Sequence, residues 1–168
     1  CGAIPAIFTF EGDLYAMLGK EVGVAFTFME KVEKLESLGM HKIIHKKLTP
    51  EFMSLNKTEF LEYLISKYQI AGFVCGDDFT FGKNAEGDGK YLQEFANING
   101  QFVSIVDEVL YKGERASTTR LKKMLSNGKM QEAKGILGDK EYFISGKVLH
   151  GRGQGKSIGY PTVNIEIP

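Results

Sequence analysis

Short apolar runs separated by helix-like stretches organise most of this chain. Runs rich in β-branched and aromatic residues predict buried strands at residues 4–10, 41–45, 71–75 and 102–106. The stretches between them carry apolar residues three and four positions apart, which is the spacing of one helix face. Strands that alternate with helices favour a parallel sheet with right-handed crossovers. The sequence therefore predicts a Rossmann-like α/β fold.

Side chains that can cap a first turn mark where the intervening helices begin. Glu30 and Glu59 each stand three residues after such a side chain, which is the spacing of a capping box. Pro50 follows another capping side chain and suits a first helical position. A last helix is predicted at residues 130–137, before Gly138. The predicted caps are Thr27, Thr49, Asn56, Asp88 and Ser117.

The pattern changes near the end of the chain. From Tyr142 onward it predicts a strand, a glycine-rich loop and a second strand, with no helix between them. This change of period indicates two domains, at residues 1–139 and 140–168. A segment of about 28 residues is too short to bury a core alone, so more chain is expected after Pro168.

Composition and charge fit a globular protein and give no support for a nucleic-acid or membrane partner. Hydrophobic residues make up 43% of the 168 residues, enough to form a core, and 21 basic residues balance 21 acidic ones. A net charge of zero offers no electrostatic argument for binding nucleic acid or an anionic membrane. The two cysteines, Cys1 and Cys75, form no disulfide or metal-binding pattern, which favours a reducing, cytoplasmic location.

A polar and aromatic loop follows the third predicted strand. Asp77 and Asp78 supply hydrogen-bond acceptors, Phe79 and Phe81 supply stacking faces, and Gly82 allows a ligand to approach the backbone closely. Loops at the carboxyl ends of parallel strands are where ligands bind in open α/β sheets. The alternative is a solvated turn whose two aromatic residues anchor it in the core.

Three hydroxyl groups and a guanidinium group stand at the start of a later helix, predicted to run from Ser117 to Leu125. With Thr118, Thr119 and Arg120, the helix start combines backbone N–H groups, the positive end of the helix dipole and a cation. That combination suits a phosphate. The alternative is plain capping of the helix by Ser117, with Arg120 on the solvent-facing side.

Glycines also mark the loop between the last two predicted strands. Gly155, Lys156 and Ser157 resemble the end of a P-loop, but His150 stands where that motif requires its first glycine. Pro161 follows where the phosphate-binding helix would begin. A P-loop is therefore rejected. The loop can still surround phosphates with backbone N–H groups, or it is an ordinary flexible hairpin.

Three motifs in one order resemble those of prokaryotic bifunctional riboflavin kinase/FAD synthetases. Residues 76–88 (GDDFTFGKNAEGD) are similar to that family's flavin- and nucleotide-binding loop. Residues 116–122 (ASTTRLK) resemble its Ser-Ser-Thr-x-Ile-Arg signature, and residues 145–164 resemble the start of its kinase domain, which ends in Pro-Thr-Ala-Asn. The departures from these motifs are Thr118, Lys122 and Val163.

The resemblance implies a nucleotidyltransferase domain followed by the beginning of a β-barrel riboflavin kinase domain. It implies the substrates riboflavin, FMN and ATP, with Mg²⁺ as cofactor. The residues implied to line the FMN or adenine site are Asp78, Phe79, Phe81 and Gly82. Those implied to bind ATP phosphates in the transferase domain are Ser117, Thr118, Thr119 and Arg120. Those implied to bind ATP in the kinase domain are Gly151, Gly155, Lys156, Gly159, Pro161, Thr162 and Asn164, with Thr162 and Asn164 holding Mg²⁺.

One motif of the family is missing. Its transferase domain opens with a His-x-Gly-His segment on the first strand and helix, and no such segment occurs in this sequence. The strand at 4–10 is similar to the family's following strand, so the first strand–helix unit is expected to be absent. As written, the polypeptide is expected to catalyse neither reaction, whereas its parent protein is expected to catalyse both. The alternative is a non-catalytic flavin- or nucleotide-binding module derived from the family.

Overall fold

Parallel strand pairs packed against helices form the larger part of the structure. A computed structural model describes residues 2–11, 25–138, 142–151, 154–160 and 162–166. In chain order the helices and strands are β1 (Ala6–Glu11), α1 (Phe28–Ser37), β2 (Lys42–Lys47), α2 (Pro50–Met53), α3 (Lys57–Lys67), β3 (Gly72–Gly76), a 3₁₀ turn (Lys83–Ala85), α4 (Gly89–Ile98), β4 (Phe102–Val106), β5 (Leu110–Tyr111), β6 (Glu114–Arg115), α5 (Thr118–Ser126), α6 (Met130–Ile136), β7 (Lys147–Leu149), α7 (Gln154–Ser157) and β8 (Asn164–Glu166).

The predicted parallel pairing is confirmed, in the form of two two-stranded sheets. β1 pairs with β2, and β3 pairs with β4, both in parallel. The strands predicted at 4–10, 41–45 and 71–75 each lie one or two residues further toward the C-terminus, whereas the strand at 102–106 is confirmed. Pairing with the neighbouring strand, and not apolar content alone, sets these ends.

The predicted helix starts are confirmed. Each depends on a hydrogen bond between a capping side chain and a backbone N–H group two or three residues later. Thr27 and Asn56 each form a complete capping box with the glutamate three residues later. The Thr49, Asp88 and Ser117 side chains accept hydrogen bonds from backbone N–H groups of the first turns of α2, α4 and α5. None of the described helices is long and apolar enough to cross a membrane.

The first of two compact units contains residues 2–11 and 42–116. Its core is built on α3 and α4, whose inward faces bury apolar residues, and side chains of the parallel strands such as Phe8, Phe73 and Val103 pack against it. The buried members of this core are Phe60, Leu61, Leu64, Phe81 and Leu92. The loop after β3 thus stands on a packed layer of helices.

The second unit contains residues 25–41 and 117–166 among those described. Its buried apolar residues are Ala25, Leu121, Met124 and Ala133, from the segment before α1 and from α5 and α6. The Tyr142 hydroxyl donates a hydrogen bond of 2.9 Å to the backbone carbonyl of Ala25. Residues 139–141, next to the predicted domain boundary, lie outside the described residues.

One prediction for the end of the chain, a loop without a helix, is wrong. β7 and β8 are antiparallel, as a strand–loop–strand pattern requires. The loop between them was predicted to contain no helix, yet it contains the single helical turn α7. The backbone N–H of Tyr160 donates a 2.8 Å hydrogen bond to the carbonyl of Gly155. The turn therefore closes on itself through a local hydrogen bond that the glycine content of the sequence does not reveal.

Glu30 holds two segments of the second unit together. Its carboxylate is 3% exposed and accepts hydrogen bonds from the backbone N–H groups of Thr27, at 2.8 Å, and Ser145, at 2.7 Å. Burial by itself raises the pKa of Glu30, but the hydrogen bonds from Ser145 and Thr27 outweigh it and hold the pKa below its ordinary value. The carboxylate therefore stabilises the fold in its ionised form.

Replacing Glu30 with glutamine is expected to lower the free energy of unfolding by about 2 kcal/mol at neutral pH, because the two charge-assisted hydrogen bonds weaken. The contribution is present above the pKa of the unfolded chain and is lost as pH falls through the lower folded-state pKa, so the difference should shrink below about pH 4. Urea unfolding curves at several pH values test this. Glu33→Gln, on the exposed face of the same helix, is the control, and an equal loss in both variants would contradict the role of Glu30.

Candidate functional site

The loop predicted to bind a ligand turns sharply at the carboxyl ends of β3 and β4. The backbone N–H of Asp77 donates a 3.0 Å hydrogen bond to the carbonyl of Val106, which extends the parallel pairing by one residue. The N–H of Phe79 donates a 3.2 Å hydrogen bond back to Gly76 and closes the turn. The carboxyl groups of Asp77 and Asp78 therefore project from the edge of the sheet where ligands bind in α/β folds.

The two aromatic residues of this loop have different environments. Phe81 is 6% exposed and packs in the core, with its ring centroid 5.6 Å from that of Phe60. Phe79 is 36% exposed, and its ring is stacked on that of Phe81 with centroids 5.5 Å apart and planes at 23°. Phe81 therefore supports the loop from below, whereas Phe79 is the aromatic side chain available to a ligand.

Gly82 is required by its packing against the start of α3. It has φ +77° and ψ 176°, a conformation that essentially only glycine adopts. A Cβ atom placed on Gly82 would lie 2.7 Å from the backbone nitrogen and 2.8 Å from the Cα of Lys57. Gly82 thus lets the loop lie close to the backbone of α3. The sequence analysis had predicted that it lets a ligand lie close to the loop.

Further hydrogen bonds fix the rest of the loop to the same helix. Phe81 and Gly87 exchange backbone hydrogen bonds of 3.0 and 2.9 Å. The Glu86 carboxylate accepts a 2.9 Å hydrogen bond from the Lys57 N–H, and the Lys83 N–H donates one of 2.7 Å to the carbonyl of Leu55. Residues 81–87 thus form a closed, anchored loop, and its position is set before any ligand binds.

Arg115, which the sequence analysis did not single out, reaches this loop from the β5–β6 hairpin. Its Nη2 donates a hydrogen bond to Oδ1 of Asp77 and forms an ion pair with Oδ1 of Asp78, each at 2.9 Å, and its Nη1 lies 3.6 Å from Oε2 of Glu108. Lys112 and Gly113 both have positive φ, at 53° and 77°, which makes the tight two-residue turn that places Arg115 there.

The predicted phosphate-binding segment forms the start of α5. Ser117 has an extended backbone and its Oγ accepts a 3.2 Å hydrogen bond from the N–H of Arg120. Thr118 and Thr119 are exposed and Arg120 is half-buried. Leu121, the next residue of the helix, is buried in the core of the second unit. The capping role of Ser117 is thus observed, and the hydroxyls of the two threonines remain accessible to a ligand.

Within residues 145–164 the structure brings together two pairs of the residues that the resemblance predicts to bind ATP. A Cβ atom on Gly151 would lie 2.0 Å from the Nδ2 atom of Asn164, and one on Gly155 would lie 3.1 Å from Oγ1 of Thr162. The two glycines therefore leave room for the amide and hydroxyl groups that the resemblance assigns to Mg²⁺ and ATP. Gly159 has φ +81°, in the turn after α7.

The side chains of two residues that are predicted to bind ATP lie outside the description. Pro161 lies outside the described residues, and Lys156 belongs to α7 although its side chain is outside the description. Across the described residues, no group of three or more His, Cys, Asp or Glu side chains is arranged to hold a metal ion.

Two family models match different parts of the chain. The model of FAD synthetase matches residues 4–120, and the model of riboflavin kinase matches residues 138–168. The first match contains β1 to β6 and ends at Arg120. The second contains β7, α7 and β8. The motif at residues 76–88 lies inside the first match and the motif at 145–164 lies inside the second, whereas the motif at 116–122 runs two residues past the end of the first.

Curated relatives carry one shared name, bifunctional riboflavin kinase/FMN adenylyltransferase. The protein from Listeria monocytogenes is 29% identical over 99% of this chain and 53% of its own length. That from Bacillus subtilis is 30% identical over 98% of this chain and 52% of its own length, and that from Buchnera aphidicola of Schizaphis graminum is 33% identical over 84% and 46%. The chain spans about half the length of the curated relatives it matches.

A solved structure has the same fold over nearly the whole chain. It is named macrolide-efflux protein from Streptococcus pneumoniae, and it superposes with a TM-score of 0.82 at 25% sequence identity. The match covers 96% of this chain and 53% of that one. The arrangement of strands and helices described above is therefore one that an experimentally determined protein adopts.

Proposed function

The chain belongs to the FAD synthetase family, and from that premise we propose that the full-length protein makes FMN and FAD from riboflavin and ATP. In the first reaction the γ-phosphate of ATP is transferred to riboflavin. In the second, the AMP portion of ATP is joined to FMN and pyrophosphate leaves. The observation that carries this proposal is the loop after β3. It places a partly exposed Phe79 beside Asp78 at the carboxyl ends of two parallel strands, where ligands bind in α/β folds.

We assign the flavin or adenine ring to this loop. Phe79 stacks on Phe81 and keeps 36% of its surface exposed, so it can stack on a planar heterocycle. Asp78, with a side chain 67% exposed, can accept a hydrogen bond from an N–H or hydroxyl group of the ligand. Phe81 and Gly82 support the loop and are not expected to contact the ligand directly.

We assign the ATP phosphates of the transferase reaction to the start of α5. Ser117, Thr118 and Thr119 supply hydroxyl groups where the helix dipole favours negative charge. Arg120 supplies the cation that stabilises the pyrophosphate as charge develops on it. Transfer of a phosphoryl or nucleotidyl group depends mainly on such positioning and charge stabilisation.

We assign the kinase reaction to residues 140–168, as the beginning of a β-barrel domain that follows a transferase domain at residues 1–139. The residues proposed to surround ATP are Gly151, Gly155, Lys156, Gly159, Pro161, Thr162 and Asn164. The hydroxyl and amide oxygens of Thr162 and Asn164 are hard donors of the kind that Mg²⁺ accepts. When bound, Mg²⁺ would neutralise charge on the ATP phosphates, and the two glycines leave the space that these side chains need.

The proposed partners are ATP and flavins, and the proposed location is the cytoplasm, where thiols such as the free Cys75 stay reduced. The macrolide-efflux name of the structural relative is not extended to this chain, because both family models and the curated relatives name flavin-modifying enzymes. The second candidate is a flavin- or nucleotide-binding module without catalysis, which the partly exposed Phe79 and the accessible Asp78 would also suit.

Purified full-length protein incubated with riboflavin, ATP and magnesium is expected to yield FMN first and FAD later, since the product of the kinase is the substrate of the transferase. Chromatography with flavin fluorescence detection separates the three compounds. A verified bifunctional enzyme serves as the positive control. Binding of FMN without formation of either product would favour the non-catalytic module. No product and no binding would refute both candidates.

A further inference from the structure

Arg115 connects three segments at the carboxyl ends of β3 and β4. Its guanidinium group holds two successive carboxylates of the candidate flavin loop, Asp77 and Asp78, and lies near Glu108 after β4. Its own backbone is held in the hairpin, where it stands opposite Leu110. One cation on a short, braced strand thus contacts a turn 38 residues earlier in the sequence.

The guanidinium group of Arg115 affects the shape of the Asp77–Asp78 turn because it faces three carboxylates. Asp77 and Asp78 are adjacent in the chain, yet both direct a carboxylate oxygen at the same Nη2 atom. Without the guanidinium group these like charges would repel each other, and Glu108 would add a third negative charge nearby. Because the side chains of Arg115 and Asp78 are 37% and 67% exposed, such ion pairs contribute little to global stability. Their effect is on the local conformation.

The turn that Arg115 holds leads directly into Phe79. The N–H of Phe79 closes the turn through Gly76, and its ring rests on Phe81. A change in the direction of Asp78 therefore changes where the exposed surface of Phe79 points. The hydrogen bonds of residues 81–87 leave the second half of the loop fixed, so the segment from Asp77 to Phe79 is the part that depends on Arg115.

We propose that Arg115 is a positioning residue for flavin binding, which it promotes by fixing the Asp77–Asp78 turn and with it the orientation of Phe79. This role rests on the proposed function of the loop and adds a residue to it. Arg115 need not touch the ligand. Its loss should weaken FMN binding and leave the chemical step largely intact, because the phosphate-binding groups proposed at the start of α5 are unchanged.

In the full-length protein, Arg115→Ala is expected to raise the KM for FMN in FAD formation by about tenfold with a small change in kcat. The Kd for FMN, measured by flavin fluorescence, should rise in parallel. Arg115→Lys retains the charge but lacks the second nitrogen that faces Glu108 and carries its ammonium group on a more flexible stem, so an intermediate KM is expected. Lys42→Ala, which removes the same charge from an exposed position at the start of β2 in the same unit, should leave the KM unchanged. Riboflavin phosphorylation should be unchanged in all three variants.

The outcomes separate this proposal from the function on which it rests. A wild-type protein that neither binds FMN nor forms FAD would overturn the proposed function together with the role of Arg115. An active wild-type protein with an unaltered KM in Arg115→Ala would overturn the positioning role alone. An equal loss in Arg115→Ala and Lys42→Ala, or a fall in kcat without a change in KM, would also overturn it. Arg115→Lys keeps the test valid should the alanine variant fail to fold.

Discussion

Replacing Gly82 with alanine is expected to lower the free energy of unfolding of the first unit by about 3 to 4 kcal/mol. Two costs add at this position. The backbone, with φ +77° and ψ 176°, is one that a side-chain-bearing residue adopts only with strain. The new Cβ atom would also stand 2.7 Å from the nitrogen of Lys57 in the first turn of α3, and a helix backbone cannot move aside as a flexible side chain can.

A second glycine separates these two costs. Gly100 ends α4 with φ +70° and has no atom within 4 Å of an added Cβ. Gly100→Ala should therefore report the conformational strain alone, about 1 kcal/mol. Urea unfolding of both variants gives the comparison. If Gly82→Ala were no more destabilising than Gly100→Ala, the loop would not depend on close approach to α3, and the anchored position of residues 81–87 would be in doubt.

Local hydrogen bonds explain which parts of this fold the sequence could predict. A capping box needs only residues three positions apart, and those at Thr27 and Asn56 are visible in the sequence and present in the structure. Strand ends depend on pairing with residues distant in sequence, and three of the four strands predicted for the parallel sheet are shifted. The two-residue strands β5 and β6 are too short to give a period, so the hairpin was missed although Lys112 and Gly113 form its turn.

The same distinction applies to the candidate site. The residues of the loop after β3 could be identified because they are consecutive and follow an apolar strand. Their separate roles could not, because burial of Phe81 and exposure of Phe79 depend on the packing of Phe60 from α3. Arg115 was missed for a similar reason, since Asp78 and Asp77 lie 37 and 38 residues away and the sequence between them gives no sign of the contact.

Arg120→Ala is expected to slow FMN adenylylation by the full-length protein by about a hundredfold while leaving riboflavin phosphorylation nearly intact. The proposed reason is the loss of a cation at the start of α5, where negative charge develops on the leaving pyrophosphate. The half-buried position of Arg120, next to the buried Leu121, restricts its side chain more than full exposure would. Initial rates of FAD formation from FMN and ATP, measured separately from FMN formation, give both activities.

Two neighbouring lysines make this prediction specific. Lys123→Ala removes the same charge from an exposed position in the last turn of the same helix and should change neither rate, because that turn lies away from the hydroxyl groups of the helix start. Lys122 stands at the position of the arginine in the Ser-Ser-Thr-x-Ile-Arg signature and is half-buried, as Arg120 is. A hundredfold loss in Lys122→Ala with little change in Arg120→Ala would assign the phosphate-binding cation to Lys122. Equal loss of adenylylation and phosphorylation in Arg120→Ala would contradict the assignment of Arg120 to the transferase reaction alone.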